Sequence, residues 1–143
     1  MIIALNVEQE WRDKIMREFL FHGKRKGDGK WVEGYLFTAN WYLNDEKFTA
    51  IMRTYTTAYP HYEVSGWEEV DPETVGQYTD LTDKNGKKIF EGDIVEIDGK
   101  RYEVKYMLGQ FFVGINIPIA YKRFDCEVIG NIHDNPELLQ MEE

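Results

Sequence analysis

The chain has 143 residues, 43% of them hydrophobic and 30% charged, which specifies a packed domain rather than disorder. Lys plus Arg is 17 against 26 Asp plus Glu, so the net charge of −9 disfavours a polyanion-binding surface overall, though not in a local patch. No apolar run approaches the roughly 18 residues of a membrane helix, and the opening MIIALNVEQEW lacks the basic start and long apolar stretch of a secretory signal. The single cysteine, Cys126, excludes an internal disulfide framework and fits a reducing compartment, so a cytoplasmic location is expected.

The first element reads as a helix. Asn6 is a good N-cap with Gln9 in the capping-box position, and Val7, Trp11, Ile15 and Phe19 make one apolar stripe at four-residue spacing. Glu8/Arg12, Glu10/Lys14 and Asp13/Arg17 are acid-before-base pairs at i,i+4, worth about 0.2–0.5 kcal/mol apiece. These features predict a helix over 7–18. Beyond it the period changes, and an aromatic content of 15% favours pleated, half-buried surfaces. Phe19–Phe21 and Trp31–Phe37 flank HGKRKGDGK, a long hairpin tip in which Gly27 and Gly29 are able to take positive φ.

Ala39–Phe48 is ambiguous between a short helix and a loop. Ile51–Val64, with its many Thr and Tyr, reads as extended chain, restricted by Pro60 to an edge or a bend. The clearest local signal is Asp93–Tyr106, where Asp98-Gly99 suits a type I′ hairpin turn. In that register Val95 lies opposite Tyr102 on one face and Glu96 opposite Arg101 on the other. Phe111–Ile117 and Asp125–Ile129 supply further strands, and Asn135-Pro136 is the cap and first-turn proline of a brief helix through Leu139. Short strands at this spacing with Gly-bearing turns indicate a small barrel or sandwich, with a barrel the favoured form.

Motifs that carry chemistry are scarce. Gly29-Lys30 lacks the earlier glycine of a nucleotide phosphate loop, and Val32 stands where a dinucleotide fingerprint needs its third glycine. Asp83-Lys84-Asn85-Gly86 is a β-turn rather than a calcium loop, because Leu81 and Gly92 occupy two required ligand positions. The single serine, Ser65, lies about 13 Å along an extended chain from His61, too far for a nucleophile and its base. Cys126 alternates with Phe124 and Val128 and reads as a buried, inert thiol. His133-Asp134 could form half of a metal or acid/base site, since a carboxylate orients imidazole, but it equally fits the turn before Asn135-Pro136. No cofactor is expected.

Two charged segments are candidate contact surfaces. Lys24, Arg25, Lys26 and Lys30 combine with Trp31 in a basic, aromatic hairpin, the best local candidate for nucleic acid; a solvated hairpin tip is the competing reading. From Thr54 to Asp83 there are seven acidic residues and no Lys or Arg. Within that stretch Trp67, Glu68, Glu69 and Asp71 form a candidate docking strip for a basic partner protein.

Three segments together resemble the YopX family of phage and prophage proteins: FLFHGKRKGDGKWVEGYLF, DPETVGQYTDLTDKNGKKIFEGDIVE and VIGNIHDNPELL. In the second, the family's usual glycine after Tyr-Thr is Asp80. The resemblance implies a mainly β protein with an SH3-type small barrel in its C-terminal half, a phage or prophage origin and a bacterial cytosol. It carries over no catalytic residue. Family members begin near Met16, so either translation starts there or this chain carries an added helix. The expected organisation is an N-terminal helical extension over 1–18, a β-rich region over 19–70 and the barrel with a short C-terminal helix over 71–143. The leading functional expectation is a non-enzymatic module that binds a host or phage protein, with homo-oligomer formation as a weaker inference. The alternative is a nucleic-acid-binding barrel using the basic hairpin; behind both stand an enzyme with its centre near His133 and Asp134 and a purely structural or vestigial prophage protein.

Overall fold

Alternating apolar residues and glycine-bearing turns fold the chain into two antiparallel sheets. The structure, a computed structural model, describes residues 19–53, 66–114, 117–122 and 125–140. The helix expected over 7–18, the extended chain beyond residue 53 and the His61/Ser65 pair lie outside those residues.

Sheet one has the order β4-β3-β2-β1-β5-β6, built from β1 (Phe21–Lys24), β2 (Trp31–Asn40), β3 (Lys47–Met52), β4 (Trp67–Glu69), β5 (Gly76–Thr82) and β6 (Lys88–Phe90). Sheet two has the order β10-β9-β8-β7-β11, from β7 (Asp93–Ile97), β8 (Lys100–Met107), β9 (Gln110–Val113), β10 (Ile117–Pro118) and β11 (Glu127–Asn131). No pairing closes either sheet into a ring among the described residues. β5 bonds to β1 at Phe21↔Gln77 and His22↔Gly76, so sheet one draws strands from both sides of residue 70.

The Asp98-Gly99 hairpin forms in the expected register, with Val95↔Tyr102 and Glu96↔Arg101. Both turn residues take positive φ, at 51° and 78°, as a type I′ turn requires. At the 25–30 tip only Gly29 of the two candidate glycines does so. The ambiguous 39–48 stretch resolves as strand and turn: β2 runs through Asn40 because it pairs with β3 along its whole second half, as far as Asn40↔Lys47. Asn135 precedes a 3-10 turn, Pro136–Leu139, but its side chain does not cap it. Its Oδ1 instead accepts from the Asn131 N–H at 3.3 Å.

Apolar side chains of sheet two, with Ile89 of β6, make the main core: Val95, Ile97, Val104, Val113 and Cys126 are all buried in it. A smaller cluster of Val32, Ile51 and Val70 lies under sheet one. Cys126 is fully buried, as its alternation predicted, and burial followed by the nearby Asp83 charge pushes its thiol pKa up. Asp83 ties the two halves of that core. Its Oδ1 accepts from Asn85 N and Lys87 N, both at 2.9 Å, and its Oδ2 from Val128 N at 2.9 Å. Burial opposes its ionisation, yet these three donors outweigh it and hold the carboxyl below its usual range.

Candidate interaction face

Cross-strand partners in an antiparallel sheet show their side chains to the same face. Lys24↔Trp31 and His22↔Glu33 pair between β1 and β2, and Tyr35↔Met52, Phe37↔Ala50 and Ala39↔Phe48 between β2 and β3. Met52↔Trp67 extends that face to the edge strand β4. One side of sheet one therefore runs along β2 from a cavity at Trp31 to an aromatic patch at its far end.

In the patch, Trp41 stacks on Phe48 with ring centroids 4.6 Å apart, and Phe48 on Trp67 at 5.1 Å. Phe37 meets Phe48 and Trp67 edge-on, at 6.2 and 6.1 Å. The β2–β3 turn is held by Trp41 N–H on the Glu46 carbonyl at 2.8 Å and by Asp45 N–H on the Trp41 carbonyl at 3.0 Å. Fixed in this way, the turn leaves Tyr42 and Leu43 99% and 94% exposed, beside Trp41 at 41% and Trp67 at 42%. Four large apolar side chains are thus exposed together at one end of the face rather than scattered singly.

At the other end, sheet one and sheet two enclose a cavity of about 410 Å³ lined by His22, Trp31, Glu33, Phe90, Asp93 and Val128, among others. His22 stacks on Phe90 at 4.0 Å with the rings 9° apart and meets Trp31 at 4.4 Å. Gly76 permits this approach, since a Cβ there would fall 2.2 Å from the Glu91 carbonyl oxygen and 3.2 Å from His22 Nε2. Burial, and then His133, push the His22 pKa down to about 4 against its bond to the Glu91 carbonyl, so the ring is neutral at pH 7. Asp93 is 5% exposed. Burial raises its pKa to about 7, against the pull of the Phe90 N–H that donates to Oδ2 at 2.8 Å. Lys88 is ion-paired to Glu33 at the rim.

The basic hairpin and the acidic strip meet each other. Arg25 pairs with Asp28 and with Glu68 at 3.1 Å, and Lys26 with Glu69 at 3.0 Å. Lys24 pairs with Asp134. Lys30 is exposed, and its backbone N–H donates to Asp28. Asp71 caps the 3-10 turn Pro72–Thr74 by accepting from Glu73 N. Trp67 alone of the strip residues joins the aromatic patch, through its ring contacts with Phe37, Trp41 and Phe48.

The His133-Asp134 carboxylate serves other groups than its neighbouring imidazole. Lys24 first, then Trp31 Nε1 donating to Asp134 Oδ2 at 2.6 Å and Asn131 Nδ2 donating to it at 3.1 Å, hold the Asp134 pKa down at about 2. Asp134 thereby links sheet one to the turn after β11. Among the described residues no group of three His, Cys, Asp or Glu could hold a metal ion. Sequence reasoning missed Asp93, His22 and Glu33 as lining groups of one cavity. The only available signal was an acid set among the apolar residues of IFEGDIV.

A family model described as YopX protein matches residues 20–140. The chain belongs to the YopX family. Among solved structures, protein EF1440 from Enterococcus faecalis is similar at a TM-score of 0.58 and 27% identity, covering 87% of this chain and 99% of that one. No curated protein matches the sequence. In this YopX chain the whole face, from His22 through Trp67, falls inside the segment that defines the family. No helix among the described residues is long and apolar enough to cross a membrane.

Proposed function

We propose that this YopX-family chain is a non-enzymatic interaction module, a phage or prophage accessory protein that binds a host or phage protein in the bacterial cytosol. The observation that carries the reading is the aromatic end of the face, where Trp41, Tyr42, Leu43 and Trp67 lie exposed on a fixed turn and a strand edge. Large rings held rigid lose little entropy on binding and make good anchors. Asp45 and Glu46 in the same turn and a net charge of −9 favour a partner segment that is apolar with basic flanks. Sheet two around its own core supports the finer reading of the C-terminal half as an SH3-type small barrel. The nucleic-acid alternative has less support, because Lys24, Arg25 and Lys26 each face a carboxylate of the same chain.

The test is a tagged pull-down from infected lysate, with nuclease, comparing wild type with Trp41→Ala and Tyr42→Ala. One stoichiometric protein retained by wild type and lost by both variants is expected. A partner retained equally by the variants, or removed by nuclease, refutes the reading. A second copy of the chain as the captured species would instead make the patch a homo-oligomer contact.

A further inference from the structure

The cavity at the Trp31 end is lined by a largely buried carboxylate, Asp93, with one oxygen that no described group uses. Asp93 gives Oδ2 to the Phe90 N–H, while Oδ1 has no partner among the described groups. Among the described residues no fully buried side-chain oxygen or nitrogen lacks a partner, so Oδ1 keeps some exposure, and the cavity is what Asp93 lines. An otherwise buried carboxylate oxygen facing a cavity awaits a donor. Around it stand the flat rings of Trp31, His22 and Phe90.

We propose that this cavity takes a guanidinium group, an arginine side chain of the bound partner, with the Asp93 carboxylate as counter-charge and the aromatic rings as stacking walls. The inference rests on the interaction reading for its occupant and names the chemistry of that partner's second contact. A planar guanidinium both stacks on rings and donates in a fork to a carboxylate, which an ammonium does not. An anion is disfavoured: of the two cations that line the cavity, Lys88 is paired with Glu33 and Lys87 acts on the Asp93 carboxylate, and the chain carries −9 overall. The aromatic patch and the cavity share one sheet face, with β2 running from Trp31 to Asn40 between them. Over ten residues at about 3.3 Å each, one partner can reach both ends.

Asp93 titrates near neutrality, and its ionisation sets the affinity. The charged groups facing it are Lys87 and Asp83 in the β5–β6 connection, Lys88 of β6 and Glu33 of β2; His22 stays neutral above about pH 5. With an Asp93 pKa of about 7, the ionised fraction rises about tenfold from pH 6 to pH 8, and guanidinium affinity follows it.

The experiment titrates N-acetyl-arginine-methylamide into the isotope-labelled full chain and follows the Phe90 amide and the Trp31 indole N–H by NMR. Saturable shifts in the millimolar range are expected, about tenfold tighter at pH 8 than at pH 6. The neutral citrulline analogue should shift neither signal. Asp93→Asn should weaken binding about tenfold or more; the pH series on wild type keeps the test valid if that variant misfolds. No saturation by about 50 mM, equal binding of citrulline, or no change of affinity with pH overturns the proposal. Guanosine monophosphate saturating the site in place of arginine does so too, and assigns the cavity to a nucleobase. These outcomes are independent of the Trp41 and Tyr42 pull-down, so this inference can fail while the interaction reading stands.

Discussion

Replacing Asp93 by Asn removes a buried charge and keeps an oxygen for the Phe90 N–H. In the folded chain burial carries the Asp93 pKa from 3.8 to about 7. An acid whose pKa is higher folded than unfolded takes up protons on folding between those values, so stability falls as pH rises through that window. The stabilising contribution is complete below about pH 4 and gone above about pH 7. At about 1.36 kcal/mol per pH unit, the change amounts to about 4 kcal/mol. His22 runs the opposite way. Its pKa falls from 6.5 to about 4, so the unfolded chain binds more protons there, and stability rises with pH across nearly the same window. The two slopes oppose in the wild type. Asp93→Asn removes one of them, so between about pH 4 and 7 the variant gains on wild type by an amount on the order of 4 kcal/mol. Urea unfolding followed by circular dichroism, at intervals of about one pH unit, reads this directly if the denaturant slope is common to both proteins. Wild-type and variant curves that stay parallel across the window, separated by a constant offset, would refute the reasoning.

Asp83→Ala leaves the N–H groups of Asn85, Lys87 and Val128 without their acceptor, and unfolding should show a loss of about 2–4 kcal/mol. Asp83→Asn, which keeps one oxygen, should lose less. Gly76→Ala places a Cβ 2.2 Å from the Glu91 carbonyl oxygen, so the strand must shift. A melting-temperature loss equivalent to about 2 kcal/mol or more is expected, with the His22 ring signals displaced. Cys126 should resist a thiol reagent at pH 8 in the folded chain and react at once in denaturant. Fast labelling of the native protein would contradict its burial.

The Asp98-Gly99 hairpin is legible residue by residue because turn type and two-residue alternation together leave a single register. Cys126 is legible by a related signal, its alternation with Val128 of the strand that follows it. The 41–46 turn is not, since only the partner strand β3 decides how far β2 extends. The capping signal at Asn135 points to the right turn and the wrong bond, because the Asn131 N–H competes for the same carboxamide. The cavity is least legible. Asp93 looks like any acid opening a strand until Val128, Phe90 and His22 arrive from three other segments to bury it. Likewise Arg25 and Glu68 lie 43 residues apart, and no local pattern announces that they pair.

The pairing of those two segments also explains how the face is held. Exposed ion pairs contribute about 0–1 kcal/mol each, so Lys26–Glu69 and Arg25–Glu68 matter less as energy than as placement. Each accompanies a backbone link: Lys26 N–H to the Glu69 carbonyl at 3.0 Å, and Asp71 N–H to the Lys24 carbonyl at 2.9 Å. β4 is only three residues long, too short to hold its position by its bonds to β3 alone. Clamped by the hairpin tip as well, it keeps Trp67 over Phe48 and completes the aromatic patch. The carboxylates of Glu68 and Glu69 that quench the positive potential of the hairpin therefore also help fix Trp67 in the aromatic patch. The two charged surfaces read from the sequence serve as a structural clasp, and the surface they build is the aromatic one.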